Sequence, residues 1–260
     1  MRIALGIEYD GRSFCGWQSQ REGCGIQDAL QTAIGTVADE TIVLNAAGRT
    51  DQGVHASNQV AHFETTAERP LTAWVRGVNA KLPDAIGVRW ARVVDDEFHA
   101  RFSARRRSYH YLLLNRFERP ALLAGRVGWT HRPLDVGAMR AGMHHLVGKH
   151  DFSSFRSAEC QAKSPVKELE RIDLEVDGAL LVFRFTANAF LHHMVRNMLG
   201  ALLAVGRGAR HAEWIRELLE TRDRVQGAPT FMPDGLYLSG IEYDPRFGLP
   251  PTESTHPWKN

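Results

Sequence analysis

Cysteine is scarce: Cys15, Cys24 and Cys160 are the only three in 260 residues and show no CxxC spacing. That excludes a thiolate zinc site and a disulfide framework, and reduced thiols are expected. Long apolar runs are missing too. No stretch approaches the roughly 18 residues of a membrane span. The opening MRIALGIEYD has no basic region ahead of an apolar core and no small-residue cleavage site, so the chain is read as cytoplasmic with no membrane association. No GxGxxG fingerprint follows a strand and no GxxxxGK[ST] loop occurs, which leaves dinucleotide and P-loop sites unsupported. The twelve histidines cluster at His144, His145 and His150 beside Asp151, and again at His192 and His193, but without HExxH or Cys/His ligand spacing. Buried or capping histidines are expected there, with no metal and no organic cofactor.

Excess charge of either sign is also small, at a formal net of +2, so its distribution matters more than its sum. From His99 to Arg132 eight arginines stand against one acid, Glu118, with Phe102, Tyr109, Tyr111, Phe117 and Trp129 among them. Guanidinium groups pair with phosphate oxygens and stack on flat rings, so this segment suits looped or single-stranded RNA. A solvated charged face is the plainer reading of the same residues.

Short apolar strands alternate with amphipathic helices, a pattern of α+β or α/β class. Residues 2 to 9 read as a strand, and Ile26, Ala29, Leu30, Ala33, Ile34 and Val37 share one helical face. Strands over 41–46 and 58–64 flank AAGRTDQGVHA. Ile172, Leu174 and Val176 alternate with Asp173 and Glu175, and the Asp177-Gly178 turn predicts a hairpin with LLVFRF. Leu191, Met194, Val195, Met198, Leu199, Leu202 and Val205 mark a second helix with Arg196 at its margin. These elements predict an N-terminal half over 1–105, a C-terminal half over 106–247 and a Pro-rich tail over 248–260.

Asp51 lies between Arg49 and His55 in a stretch closed by Gly48 and Gly53. An Asp beside glycine is commonly a turn residue capping backbone N–H groups. A neighbouring cation, however, favours the ionised carboxylate, which can act as nucleophile or base without metal. Tyr109 and Tyr111 fall on one strand face directly after Arg105, Arg106 and Arg107; each is either a core ring or a platform for an extruded base. Phe152, Phe155 and Leu236 read as core residues.

YDGRSFCGWQ, AGRTDQGVHA, VNAKLP, FHARFSARRRSYHY, DFSSF, NAFLHHMVRN and GLYL occur in that order over nearly the whole chain except the tail. In this it resembles the TruA-type tRNA pseudouridine synthases. The resemblance implies an α+β fold of two ferredoxin- or RRM-like halves in a continuous, mainly antiparallel sheet flanked by helices, with a basic cleft between them. It further implies a homodimer that needs neither metal nor cofactor. The implied activity is isomerisation of uridine to pseudouridine in the anticodon stem-loop of tRNA, at nucleotides 38, 39 and 40. By motif position Asp51 is the catalytic aspartate and Tyr109 the ring that stacks on the target base. Arg196 is the arginine that pairs with the aspartate, Leu236 an apolar contact to the base, and Arg49 a residue that helps displace the uridine. Two readings from other classes stand beside this one: a non-catalytic RNA-binding module, and a histidine-metal hydrolase whose activity a chelator would remove.

Overall fold

In RIALGIEY every residue from Ile3 to Ile7 is buried, the mark of a strand covered on both faces. Strand β1 (Arg2–Tyr9) is accordingly central in its sheet. It pairs antiparallel with β3 (His55–Glu64), where Leu5 faces Ala61, and with β4 (Ile86–Val94), where Leu5 faces Ala91. The computed structural model describes residues 1 to 251, so most of the expected Pro-rich tail lies outside the described residues. The far edge of β3 takes two further strands. β2 (Asn45–Ala46) runs antiparallel to it, and β10 (Leu236–Glu242) runs parallel, with Tyr237 opposite His55. Helix α1 (Ile26–Ala38) buries Ile26, Leu30, Ala33 and Ile34 of the predicted stripe, leaves Ala29 and Val37 half-buried, and buries Ala38 in addition.

The strand predicted over 41–46 shortens to Asn45–Ala46 for a local reason. Gln31 Oε1 accepts from Leu44 N at 3.0 Å and Gln27 Nε2 donates to Leu44 O at 2.9 Å, so side chains of α1 take the bonds a ladder would use.

The second unit is built on β5 (Arg106–Asn115), β9 (Leu180–Ala187), β8 (Val166–Asp177) and β7 (Gly148–Asp151), adjacent in that order and antiparallel, with β6 (Gly128–Thr130) parallel to β5. The predicted hairpin is β8–β9, turned at Gly178 with φ +57°. Helix α3 (Met194–Gly206) buries eleven of its thirteen residues and is the core helix of this unit. Helices α2 (Val136–His144) and α4 (Trp214–Thr221) pack near it: a Cβ at Gly142 would stand 3.2 Å from Ile215 and 3.5 Å from Leu202. The fold is α+β.

Among the described residues the compact units are Met1–Arg106 with residues 237–251, and Arg107–Leu236. A linear division of the sequence does not anticipate that return. It arises because β10 finds its parallel partner in β3, about 180 residues earlier. One expectation is overturned outright: Cys15 and Cys24 are joined as a disulfide, their Cα atoms 5.4 Å apart, and only Cys160 is a free thiol. Spacing concealed the pair because a loop, closed by Cys15 N donating to Cys24 O at 3.0 Å, brings the two together.

Candidate active site

The loop from 47 to 54, between β2 and β3, carries Arg49 and Asp51. Its first two residues are fastened to β3, and its last runs directly into that strand. Ala47 N donates to Val60 O at 2.8 Å, and Nε2 of fully buried Gln59 donates to Gly48 O at 2.7 Å. Val54 N donates to Asp51 O at 3.1 Å and closes a turn in which Gly53 takes φ +79°. Asp51 is half-buried on this turn, and Arg49 is exposed.

The segment after β1 forms the bed of the loop. Trp17 N donates to Thr50 O at 2.9 Å, and the hydroxyls of Tyr9 and Thr50 are 2.8 Å apart. Gly16, at φ +95°, lies so close that a Cβ there would stand 2.8 Å from Thr50 O and 3.1 Å from both Asp51 C and Gln52 N. Gly11 is more tightly confined, 2.0 Å in the same sense from Val54 O, and its N–H donates to Nδ1 of buried His55 at 3.2 Å. Asp10 Oδ1 stands 3.3 Å from that nitrogen and accepts from Arg12 Nε at 2.9 Å. Burial works to raise the Asp10 carboxyl, but hydrogen bonds from Arg12 and the field of His55 outweigh it and hold it below the usual carboxylate range.

Tyr109, Arg196 and Leu236 belong to the second unit. Tyr109, 8% exposed on β5, meets Phe190 edge to face with centroids 5.0 Å apart. Tyr111, two residues on, is fully buried, and its hydroxyl donates to Met232 O at 2.9 Å. Burial, then the nearby Asp234 carboxylate, push that phenol well above its ordinary value. Arg196 sits in the first turn of α3, which starts abruptly after His193 in the left-handed conformation at φ +62°. Its Nε donates to Phe231 O at 2.8 Å, which sets the plane of the guanidinium. Leu236 is buried, with its N–H donating to Pro233 O at 2.8 Å. Phe152 and Phe155 are core residues, as expected.

The arginine-rich segment is less open to phosphate than its composition suggests. Arg105 is paired with Asp244 at 2.5 Å and Arg106 with Glu242 at 2.9 Å. Arg107 donates to Asn188 O at 3.2 Å, and the guanidinium of Arg101 lies 5.7 Å from the exposed Phe102 ring.

Chemically, the first unit offers a carboxylate on a turn whose backbone is pinned from β3 and from the segment after β1. Such a group acts by position, not by mobility. Residues that pin it, Tyr9, Gly16, Trp17, Thr50 and Gln59, escape a reading of the sequence. Four of them sit inside the motif stretches YDGRSFCGWQ and AGRTDQGVHA, which was the available signal.

The sequence profile of the tRNA pseudouridine synthases matches residues 6–103 and 143–244. A tRNA pseudouridine synthase A of Chromobacterium violaceum is 61% identical over 252 residues, 96% of each chain. Its namesake in Thiobacillus denitrificans is 57% identical over 258 residues, 99% of this chain and 98% of that one. Another, in Dechloromonas aromatica, is 57% identical over 96% of this chain and 95% of its own. Since the profile covers well over half the residues and these relatives align almost end to end, the chain belongs to the family of tRNA pseudouridine synthases.

Proposed function

We propose that the protein isomerises uridine to pseudouridine in tRNA, that its targets are nucleotides 38, 39 and 40 of the anticodon stem-loop, and that Asp51 is the catalytic carboxylate. The reading is carried by identity of more than half the residues, over nearly the full length, with relatives named tRNA pseudouridine synthase A. The fixed turn that bears Asp51 supports the residue's role.

The reaction breaks the bond from uracil N1 to ribose C1′, turns the base while it stays bound, joins C5 to C1′ and releases the C5 proton to solvent while N1 takes one up, so that substrate and product are isomers. Positive charge develops on the sugar, and a fixed anion nearby stabilises it. Attack on C1′, addition to the base and removal of a ribose proton all require an ionised oxygen within bonding reach of an everted nucleotide. In this proposal the Tyr109 ring holds the base, Leu236 adds an apolar contact and Arg49 helps displace the uridine from its stack. Arg196 keeps Asp51 ionised and aimed. The chemistry calls for no metal and no organic cofactor. The enzyme works as a homodimer in the cytoplasm, and its arginines bind phosphate with an affinity that falls as salt rises.

Asp51→Asn keeps the shape of the side chain and removes its charge. The variant is expected to bind tRNA normally and to lose pseudouridine formation by on the order of a thousandfold or more. Undiminished turnover would refute the role. Binding by the unaltered protein with no product on any tRNA would instead favour a non-catalytic RNA-binding module. Sedimentation equilibrium at twice the chain mass is the result expected for the dimer.

A further inference from the structure

A carboxylate that acts by position depends on the peptide planes beside it. The residue before Asp51 is held at three points. Thr50, 7% exposed, shares a 2.8 Å hydroxyl–hydroxyl hydrogen bond with Tyr9, and its carbonyl accepts from Trp17 N at 2.9 Å. Gly16 underlies the Thr50 carbonyl and the start of Gln52, where a Cβ would come within 2.8 to 3.1 Å.

Each contact fixes a different degree of freedom. The Thr50 carbonyl and the Asp51 N–H lie in one peptide plane, so the bond from Trp17 orients the plane that leads directly into Asp51. Thr50 is β-branched, and a hydrogen bond to its hydroxyl selects one χ1 rotamer and anchors its Cα. Tyr9 is set toward that hydroxyl at an irregularity in the β1–β3 ladder, where β3 carries the additional residue. The ladder that pairs Ile7 with Gln59 would, if regular, set Tyr9 opposite Ser57, but Tyr9 pairs with Ala56. An irregularity of that kind redirects the side chain that follows it. Tyr9 is 4% exposed and its ring lies 5.9 Å from that of Trp17, so two of the three restraints belong to one rigid cluster.

We propose that Thr50 is a positioning residue for the isomerisation: its hydroxyl, locked to that of Tyr9, holds Asp51 in the orientation the reaction needs. The inference rests on Asp51 being the catalytic carboxylate. A buried threonine–tyrosine bond that merely satisfies two polar groups would show in stability alone, whereas a positioning bond shows in the chemical step of molecules that are folded.

The experiment compares Thr50→Val, which keeps the shape and removes the hydroxyl, with Thr50→Ser, Tyr9→Phe, the Tyr9→Phe/Thr50→Val double variant and Asp51→Asn. Turnover is read as release of tritium from tRNA labelled at uridine C5, beside tRNA affinity and the thermal unfolding midpoint. Thr50→Val and Tyr9→Phe are each expected to lower kcat about 10- to 100-fold with KM and affinity within about twofold, as for a small misplacement of a reacting group. Thr50→Ser should restore kcat to within about threefold, and the double variant should be no slower than the worse single one, because both remove the same bond. Values of kcat within about twofold of the unaltered enzyme for Thr50→Val and Tyr9→Phe, with Asp51→Asn inactive, would overturn the inference and leave the role of Asp51 standing. Active Asp51→Asn would overturn both.

Discussion

The imidazole of His55 lies almost flat on the ring of Tyr237, with centroids 4.6 Å apart and planes 18° apart, and the two residues are direct partners in the parallel β3–β10 ladder. His55 opens the strand that follows the Asp51 turn. The stack therefore ties the end of the turn to the last strand of its unit. Tyr237→Ala removes a buried ring from this pair and is expected to destabilise the protein by about 3 to 5 kcal/mol, in the range for aromatic-to-alanine changes in cores. Urea unfolding measures it: the midpoint falls while the slope stays that of the unaltered chain.

Gly16 and Gly23 form a matched pair of probes in the same loop. Both have positive φ, +95° and +66°, so alanine meets backbone strain at either position. A Cβ at Gly23 meets nothing within 4 Å, whereas one at Gly16 presses on the backbone either side of Asp51. Gly23→Ala should cost about 1 kcal/mol and leave kcat unchanged. Gly16→Ala should cost about 2 kcal/mol or more and lower kcat of the folded fraction at least about tenfold. Equal kcat for the two variants would show that the bed beneath Asp51 does not govern the chemistry.

What could be foreseen from the residues divides along the range of the interactions. β1, α1, α3 and the β8–β9 hairpin are encoded in their own periodicity and turn residues, so a mixed α and β class was legible, and the family resemblance narrowed it to α+β. The turn that bears Asp51 was legible too, through the glycines that bracket it. Pairings between distant segments leave no such trace. Nothing in RIALGIEY says that Tyr9 will meet Thr50, 41 positions on, because the deciding event is a register irregularity against β3. Arg105 and Arg106 read as phosphate ligands until β10 and the residues after it return Glu242 and Asp244 to them. Gln27 and Gln31 of α1 bond both backbone groups of Leu44, and nothing in the spacing of residues 41–46 shows that they will.

His62 makes stability depend on pH in a defined window. Burial, with smaller contributions from the fields of His99 and Arg2, lowers its pKa from 6.5 to about 4, and its Nδ1 accepts from Ala100 N at 3.2 Å. Between those two values the unfolded chain binds a proton that the folded chain does not, so stability is full above about pH 6.5 and falls as the pH drops toward 4. The loss amounts to about 3 kcal/mol. His99 is depressed as well, chiefly by burial, and adds in the same direction. Asp10 contributes only lower down, because its depressed carboxyl keeps its charge until the pH falls below the usual carboxylate range. In His62→Asn, Oδ1 can take over the acceptor role without titrating. Urea midpoints at pH 7.5 and 4.5 should therefore differ less in the variant than in the unaltered protein, and an equal difference would assign the window to other groups.

The Cys15–Cys24 bond leads directly into the bed of the Asp51 loop, since Gly16 and Trp17 follow Cys15 and bear on Thr50. The bridge spans a sequence separation of nine, and loop entropy alone assigns a closure of that size about 2 to 3 kcal/mol. Reduction with a phosphine should lower the unfolding midpoint by the equivalent amount. A Cys15→Ala/Cys24→Ala variant should already unfold at the reduced midpoint and ignore the reductant. Because Trp17 N holds the peptide plane before Asp51, the reduced enzyme should also turn over more slowly, while its affinity for tRNA stays the same. A midpoint that does not respond to the phosphine would mean that the two thiols are not joined in solution, and the loop would then owe its shape to its hydrogen bonds, among them Trp17 N to Thr50 O, Cys15 N to Cys24 O and Ile26 N to Gly16 O.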